Sequence, residues 1–199
     1  DQDPLDVVAH LIDVSLVEIV EGPDGEPMIW LLDTVRRFAR DQLREAGEYE
    51  QTRLAHARWC VQVAQQISGL LHGPTAVSAL DRMDVVGQDI ASALDWCLQE
   101  SPEATRERHE TGFALLEPMD RYWYRFGHIV EGRSWHDRAL ALLSGEATAD
   151  SSTVVDALHG QGILAVQQLD LAAGTQALEQ ALAMAHRLGD ISREARESN

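Results

Sequence analysis

Apolar residues recur along this chain with two different spacings, and the spacing predicts the secondary structure of each segment. Near the start they fall three or four positions apart, which predicts a short helix with Pro4 in its first turn. The apolar face of this helix comprises Leu5, Val8, Leu11 and Ile12.

Two runs rich in β-branched and aromatic residues follow the first helix. They are SLVEIV at 15–20 and PMIWLL at 27–32, and the intervening EGPDGE contains a Pro-Asp-Gly turn signal. The sequence therefore predicts a β-hairpin.

The helical spacing returns directly after the second strand, without an intervening glycine or proline. We expect Asp33 to act as the N-cap of a helix, and Gly47 to end that helix in a left-handed conformation. The predicted apolar stripe of this helix comprises Val35, Phe38, Ala39 and Leu43.

The remainder of the chain shows helical spacing with short interruptions. Helices joined by short loops pack as antiparallel neighbours, so helical hairpins are expected. The predicted breaks lie at 72–75, 101–103, 126–128, 144–152 and 169–171.

An internal repeat lies within this helical part. Residues 128–142 align without gaps with residues 170–184, an offset of 42. Small residues at matched positions allow two helices to approach closely. The matches include Gly132 with Gly174, Ala139 with Ala181, and Leu140 with Leu182.

The second repeat unit is similar to the tetratricopeptide (TPR) pattern of small and large apolar positions. Its pattern residues are Gly162, Gly174, Leu178 and Ala181. The first unit departs from that pattern, because Asp120 replaces the small residue of the first helix and His136 replaces the large apolar one of the second. We therefore describe the array as TPR-like.

Composition and charge narrow the functional classes. The chain has 199 residues, with 33 acidic residues against 16 basic ones, and its net charge of −17 repels phosphate backbones. It has no secretory signal pattern and no apolar run long enough to span a membrane. Cys60 and Cys97 lie in apolar helical surroundings, which favours buried free thiols in a cytoplasmic protein over a disulfide.

The sequence contains no recognisable catalytic motif. All 16 basic residues are arginine, so the lysine of a phosphate-binding Walker A loop is absent. Zinc-binding H-E-x-x-H and nucleophilic G-x-S-x-G motifs are also absent. We therefore expect a non-catalytic chain without a metal or cofactor of its own.

An aromatic cluster at 119–135 is the main candidate for a binding site. Met119, Trp123 and Phe126 share one helical face and are expected in the core. The candidate partner-binding residues are Tyr122, Tyr124, Arg125 and Trp135. The alternative is that they pack against neighbouring helices. The other tryptophans proposed as anchors between helices are Trp30, Trp59 and Trp96.

Several segments together resemble one family. LIDVSLVEI and GEPMIWLLDTVRRFARDQLREAGE, followed by HARWCVQVAQQ, LDRMDVVGQDIASALDWCL and YWYRFGHIVEGRSWHDRALAL, occur in the order found in bacterial STAND-type transcription regulators. These include AfsR/SARP-like and large LuxR-like proteins, in which a P-loop NTPase core, a winged helix and a helical-repeat arm follow one another.

The resemblance implies a mainly α fold, with a partial winged helix containing one β-hairpin, followed by a superhelix of TPR-like antiparallel helix pairs. The implied organisation is the C-terminal part of a degenerate winged helix at 1–46, a connecting helical region at 47–102 and a TPR-like array at 103–199. Because residues 190–199 resemble the start of a helix, we expect this array to be truncated at its C-terminus.

The resemblance also implies a role in regulation. The chain would be a sensor arm that contacts an intramolecular NTPase core and a protein or small-molecule effector, and ATP or ADP would bind elsewhere in the parent protein. Residues 1–35 contain nine acidic residues and no basic ones, so we expect no direct nucleic-acid contact from the winged-helix part. Where related switches have Met-His-Asp, this chain has Leu31, Leu32 and Asp33, and the nucleotide-sensing imidazole is missing. A free-standing TPR-like adaptor without an NTPase is the alternative.

Overall fold

The computed structural model describes residues 3–22, 25, 27–71, 76–102, 104–144 and 151–189. In these ranges the fold is mainly α with one two-stranded hairpin, as the sequence predicts. The elements, in order, are α1 (Pro4–Asp13), β1 (Val17–Glu21), β2 (Pro27–Leu31), α2 (Asp33–Glu45), α3 (Tyr49–Leu70), α4 (Ala76–Cys97), α5 (Arg106–Phe126), α6 (Ile129–Ala141), a 3-10 turn (Leu142–Ser144), α7 (Ser152–Gln167) and α8 (Leu171–Leu188).

The predicted first helix and hairpin are confirmed. Asp3 caps α1 by accepting a hydrogen bond from the Leu5 amide at 3.0 Å, and Pro4 occupies the start of the helix. Strands β1 and β2 are antiparallel, with Ile19 opposite Ile29. The predicted turn between them lies partly outside the described residues, as do the predicted break at 72–75 and the predicted helix start at 190–199.

The junction between β2 and α2 differs from the prediction. Leu32 is the N-cap and makes no side-chain capping bond, whereas Asp33 is the first helical residue. The predicted Asp33 cap is therefore wrong. As a carboxylate in the first turn, Asp33 still complements the positive helix end, and it lies 3.5 Å from the Arg36 guanidinium.

The predicted end of α2 at Gly47 is confirmed. Gly47 has a φ of +73°, and the Glu48 amide donates to the Leu43 carbonyl at 2.8 Å. This six-to-one bond is the Schellman arrangement, in which a left-handed residue satisfies the last carbonyl groups of a helix.

Helices α3 to α8 pack as three antiparallel pairs, α3 with α4, α5 with α6 and α7 with α8. Successive pairs are joined through their first helices, since α3 packs on α5 and α5 packs on α7. In addition, α4 packs on α5, and α6 packs on α7. This pattern is that of a helical repeat. The hydrophobic core is continuous through all three pairs, with Cys60, Leu94, Leu116, Trp123, Leu164 and Ala181 among its members.

The segment before α3 contributes little to this core. Val17 is the only buried residue among the described side chains up to residue 47. None of the predicted apolar stripe of α2 is fully buried: Val35, Ala39 and Leu43 are half-buried, and Phe38 is 65% exposed. The hairpin and α2 therefore present apolar side chains at the surface.

The predictions for tryptophan and cysteine are confirmed in part. Trp96 is buried, but Trp30 and Trp59 are each 45% exposed, so the prediction that they anchor helices to one another is wrong. Cys60 and Cys97 are buried free thiols, as expected. Burial raises the pKa of each thiol to about 12, which keeps both thiols protonated and unreactive near neutral pH.

Candidate functional site

The two repeat units make the same inter-helix contact with different chemistry. In the second unit, Gly162 on α7 packs directly against the Leu178 side chain on α8. The equivalent residues of the first unit are Asp120 on α5 and His136 on α6, and the His136 Nε2 atom lies 2.6 Å from the Asp120 Oδ1 atom. A hydrogen-bonded polar pair thus replaces the apolar contact.

The polar pair is enclosed by its neighbours. The His136 side chain is fully buried and meets the Trp123 ring edge-on, with 5.9 Å between ring centroids. Gly160 on α7 covers the pair, because a Cβ atom there would lie 2.5 Å from the Asp120 Oδ2 atom and from the His136 Cε1 atom. Only a glycine permits α7 to approach at this distance.

Sequence analysis recognised Asp120 and His136 as departures from the TPR-like pattern but did not pair them. Each departure taken alone places a polar group at an apolar position, which is costly without a hydrogen-bond partner. Their equivalents, Gly162 and Leu178, touch each other in the second unit. The signal that could have paired them is that both departures fall in the same unit.

A groove beside Asp120 and Gly160 lies next to this pair. The first helices of the three pairs, α3, α5 and α7, line it, and it encloses about 580 Å³. We call it the α3–α5–α7 groove; its polar lining residues are Ser68, Glu117, Asp120, Arg121, Tyr124, Arg125, Asp156 and His159.

Charge is unevenly distributed along this groove. Gly160 fixes the register of α7 against α5, since it faces Asp120. Glu117 on α5 and Asp156 on α7 therefore lie about one turn before the contact between Asp120 and Gly160, whereas Arg121 and Arg125 follow that contact along α5. One end of the groove is acidic and the other end is basic.

The structure divides the four predicted binding residues between two surfaces. Tyr124 and Arg125 line the α3–α5–α7 groove, where Tyr124 is 46% exposed and Arg125 donates to the Leu71 carbonyl at 3.3 Å. Tyr122 and Trp135 line a different pocket. They therefore do not form a single patch with Tyr124 and Arg125. The predicted core positions are confirmed for Met119 and Trp123, which are buried, and Phe126 is half-buried.

The second pocket lies between α4, α5 and α6 and encloses about 290 Å³. We call it the α4–α6 pocket. Tyr122 stacks on the His128 ring at 5.0 Å, and its hydroxyl lies 3.3 Å from the His128 Nε2 atom. Burial raises the pKa of the Tyr122 hydroxyl, and the nearby carboxylates of Asp84 and Glu131 raise it further.

Arg108 is a buried charge that sequence analysis missed. Its guanidinium lies 4.4 Å from the Trp96 ring centroid and donates to the Trp96 carbonyl from Nε at 2.8 Å and from Nη2 at 2.5 Å. This carbonyl belongs to the last turn of α4, where free acceptors and the negative helix end favour a cation. Arg108 thus links the α5–α6 pair to the α3–α4 pair, and we assign it a structural role.

Metal chemistry and membrane insertion find no support in the described residues. No three His, Cys, Asp or Glu side chains there come together as metal ligands. None of the described helices combines the length and hydropathy needed to cross a bilayer. The described residues form several surface depressions on a helical-repeat scaffold, and two of these contain the predicted binding residues.

Comparisons with protein-family models, with curated proteins and with solved structures gave no match to this chain.

Proposed function

We propose that this chain is the non-catalytic regulatory arm of a STAND-type transcription regulator, and that it acts by binding and conformational control. In this proposal the α3–α5–α7 groove holds a protein segment or a small-molecule effector. The observation that carries the binding role is the groove itself, which three successive helices line and which is acidic at one end and basic at the other.

The basic end of the groove retains donors for a ligand. Arg125 donates to the Leu71 carbonyl, and because a guanidinium carries five N–H donors, further donors remain on this side chain. A ligand that carries an acidic group can therefore pair with the basic end. Concave sites with a few convergent polar groups are typical of ligand binding.

The regulatory role is supported by the family resemblance and by the surface before α3. The hairpin and α2 expose Ile19, Ile29, Trp30 and Phe38. Ile29 and Trp30 lie on opposite faces of the hairpin, and together these side chains provide apolar surface for packing against another domain. In the proposed mechanism this surface contacts an NTPase core, and an effector in the groove shifts the balance between clamped and released states. Such a shift requires that the effector bind the two states with different affinity. The proposed location is the cytoplasm, which suits two buried free thiols.

The groove can be tested by changing the size of one side chain. Gly69 lines the groove, and a Cβ atom there would have no neighbour within 4 Å. Gly69→Trp should fill the groove, whereas Gly69→Ala should leave it open and serves as the matched control. Both variants are made in the whole gene product, and nucleotide hydrolysis and transcription from a target promoter are measured with and without inducer. We expect only Gly69→Trp to alter the response to inducer.

Deletion of residues 47–189 tests the regulatory role more broadly. We expect the hydrolysis rate and the transcriptional output to lose their dependence on inducer. Unchanged values in the deletion variant would refute the regulatory proposal. A whole gene product that lacks a P-loop would instead favour the free-standing adaptor.

A further inference from the structure

The α4–α6 pocket has an apolar floor. Helices α4 and α6 each pack on α5 and leave a cleft between them. Ile90, Leu94, Met119 and Trp123 are buried beneath this cleft. An exposed cleft of this composition favours the insertion of an apolar side chain, because burial removes apolar surface from water.

The lining of this pocket carries acidic groups and no basic ones. Asp84 on α4 and Glu131 on α6 are both exposed, and the lining contains no arginine. The α3–α5–α7 groove differs, since it contains both signs of charge. The lining therefore contributes two negative charges, while the neighbouring Arg138 is paired with Asp95, and the net charge of −17 adds to the attraction of a basic partner.

Trp135 beside this pocket already holds one guanidinium group. The Arg138 guanidinium lies 4.5 Å from the Trp135 ring centroid, and its Nη2 atom is 2.9 Å from the Asp95 carboxylate. An aromatic face beside a carboxylate thus binds arginine within this chain. Tyr122, which has one ring face stacked on His128, also lies beside the Asp84 and Glu131 carboxylates, so the pocket combines an aromatic ring with acidic groups.

We propose that the α4–α6 pocket is a docking site for a partner protein segment that carries a large apolar residue flanked by arginine or lysine. The apolar residue enters the cleft over Met119 and Leu94, and the flanking cations pair with Asp84 and Glu131. The pocket volume of about 290 Å³ accommodates a single large side chain, and it lies at the lower limit of sites for drug-sized molecules. This site is separate from the α3–α5–α7 groove and does not depend on the function proposed for it.

Gly87 provides a way to close the pocket without disturbing the fold. It lines the pocket, and a Cβ atom there would have no neighbour within 4 Å. Gly87→Leu should therefore occupy the cleft, whereas Gly87→Ala should leave room for the partner. Both substitutions replace a glycine inside a helix, so neither is expected to lower stability.

The experiment measures binding of a labelled peptide, Arg-Arg-Leu-Leu-Arg-Arg, to the 199-residue chain by fluorescence anisotropy. We expect Gly87→Leu to weaken binding by roughly tenfold or more, and Gly87→Ala to change it by less than about twofold. Serine in place of the peptide leucines should cause a loss similar to that of Gly87→Leu.

Charge is tested with a second matched pair of variants. Asp84→Asn with Glu131→Gln should weaken binding by about three- to tenfold. Glu45→Gln with Glu179→Gln makes the same change in net charge at exposed positions away from the pocket, and should leave binding nearly unchanged. Equal losses in the two double variants would show attraction to the acidic surface in general and would overturn the proposal. Undiminished binding in Gly87→Leu, or with the serine peptide, would overturn it too.

Discussion

Replacing Gly160 by alanine is the sharpest test of how the helical pairs are joined. The new Cβ atom would lie 2.5 Å from the Asp120 Oδ2 atom, 2.5 Å from the His136 Cε1 atom and 2.7 Å from the His136 Nε2 atom. His136 is fully buried against Trp123, so its ring cannot move aside without breaking the 2.6 Å hydrogen bond to Asp120. The clash must be relieved by separating α7 from α5 and α6 or by displacing Asp120 and weakening this hydrogen bond.

The size of the effect follows from three contributions. Overpacking of a filled site costs about 1–3 kcal/mol. A weakened hydrogen bond to a charged group costs about 1.5–3 kcal/mol, and alanine in place of glycine within a helix returns about 1 kcal/mol. We therefore expect Gly160→Ala to lower the free energy of unfolding by about 1.5–5 kcal/mol.

Urea unfolding followed by far-ultraviolet circular dichroism measures this change. Gly87→Ala is the matched control, because it makes the same substitution in a helix at a position with open space. It should raise the free energy of unfolding by about 0.5–1 kcal/mol. If Gly160→Ala were as stable as the original chain, the close approach of α7 to the Asp120–His136 pair would be refuted.

Three further predictions concern polar contacts between helices. Asp120→Gly and His136→Leu should each lower the free energy of unfolding, because each leaves the other polar group without its partner. Together they reproduce the apolar contact of the second unit, so a double-mutant cycle should give a favourable coupling of about 1–3 kcal/mol. Additive losses would contradict the pairing of Asp120 with His136. Arg108→Met should lower the free energy of unfolding by about 2–4 kcal/mol in thermal or urea unfolding, because the buried Trp96 carbonyl loses its hydrogen-bond donor. An unchanged unfolding midpoint would contradict the structural role of Arg108. The hydrogen bond from Arg133 lowers the pKa of Asp170, so its stabilisation is present above the unfolded-state pKa and disappears as the pH falls through the folded-state pKa. Asp170→Asn should therefore be less stable than the original chain from about pH 5 to pH 8 and equally stable in strong acid; a stability difference independent of pH would contradict this.

Local sequence signals predicted most of the secondary structure. Enrichment in β-branched and aromatic residues identified both strands, and Gly47 identified the end of α2. These signals are reliable because they depend on neighbouring residues alone. The predicted cap at Asp33 is wrong by one residue, because an acidic side chain is favourable both at the N-cap and in the first turn of a helix.

The candidate binding residues were predicted less well, because an aromatic cluster does not specify which helix will cover each side. Tyr122 and Tyr124 are two positions apart, so they point in different directions from α5. Packing of α3 and α7 placed Tyr124 in one groove, and packing of α4 and α6 placed Tyr122 in another. Periodicity alone does not reveal which neighbours those are.

The sequence by itself determined that this chain forms helical pairs with small residues at their crossings and carries a strongly acidic surface. Both properties depend on residue type and spacing along the chain. The tertiary structure decided that Asp120 and His136 satisfy each other, that Gly160 closes over them, and that the aromatic cluster divides between two depressions. These outcomes depend on contacts between residues far apart in sequence. A buried polar group is tolerated only when it has a hydrogen-bond partner, and here the packing of the helices brings that partner from another part of the chain.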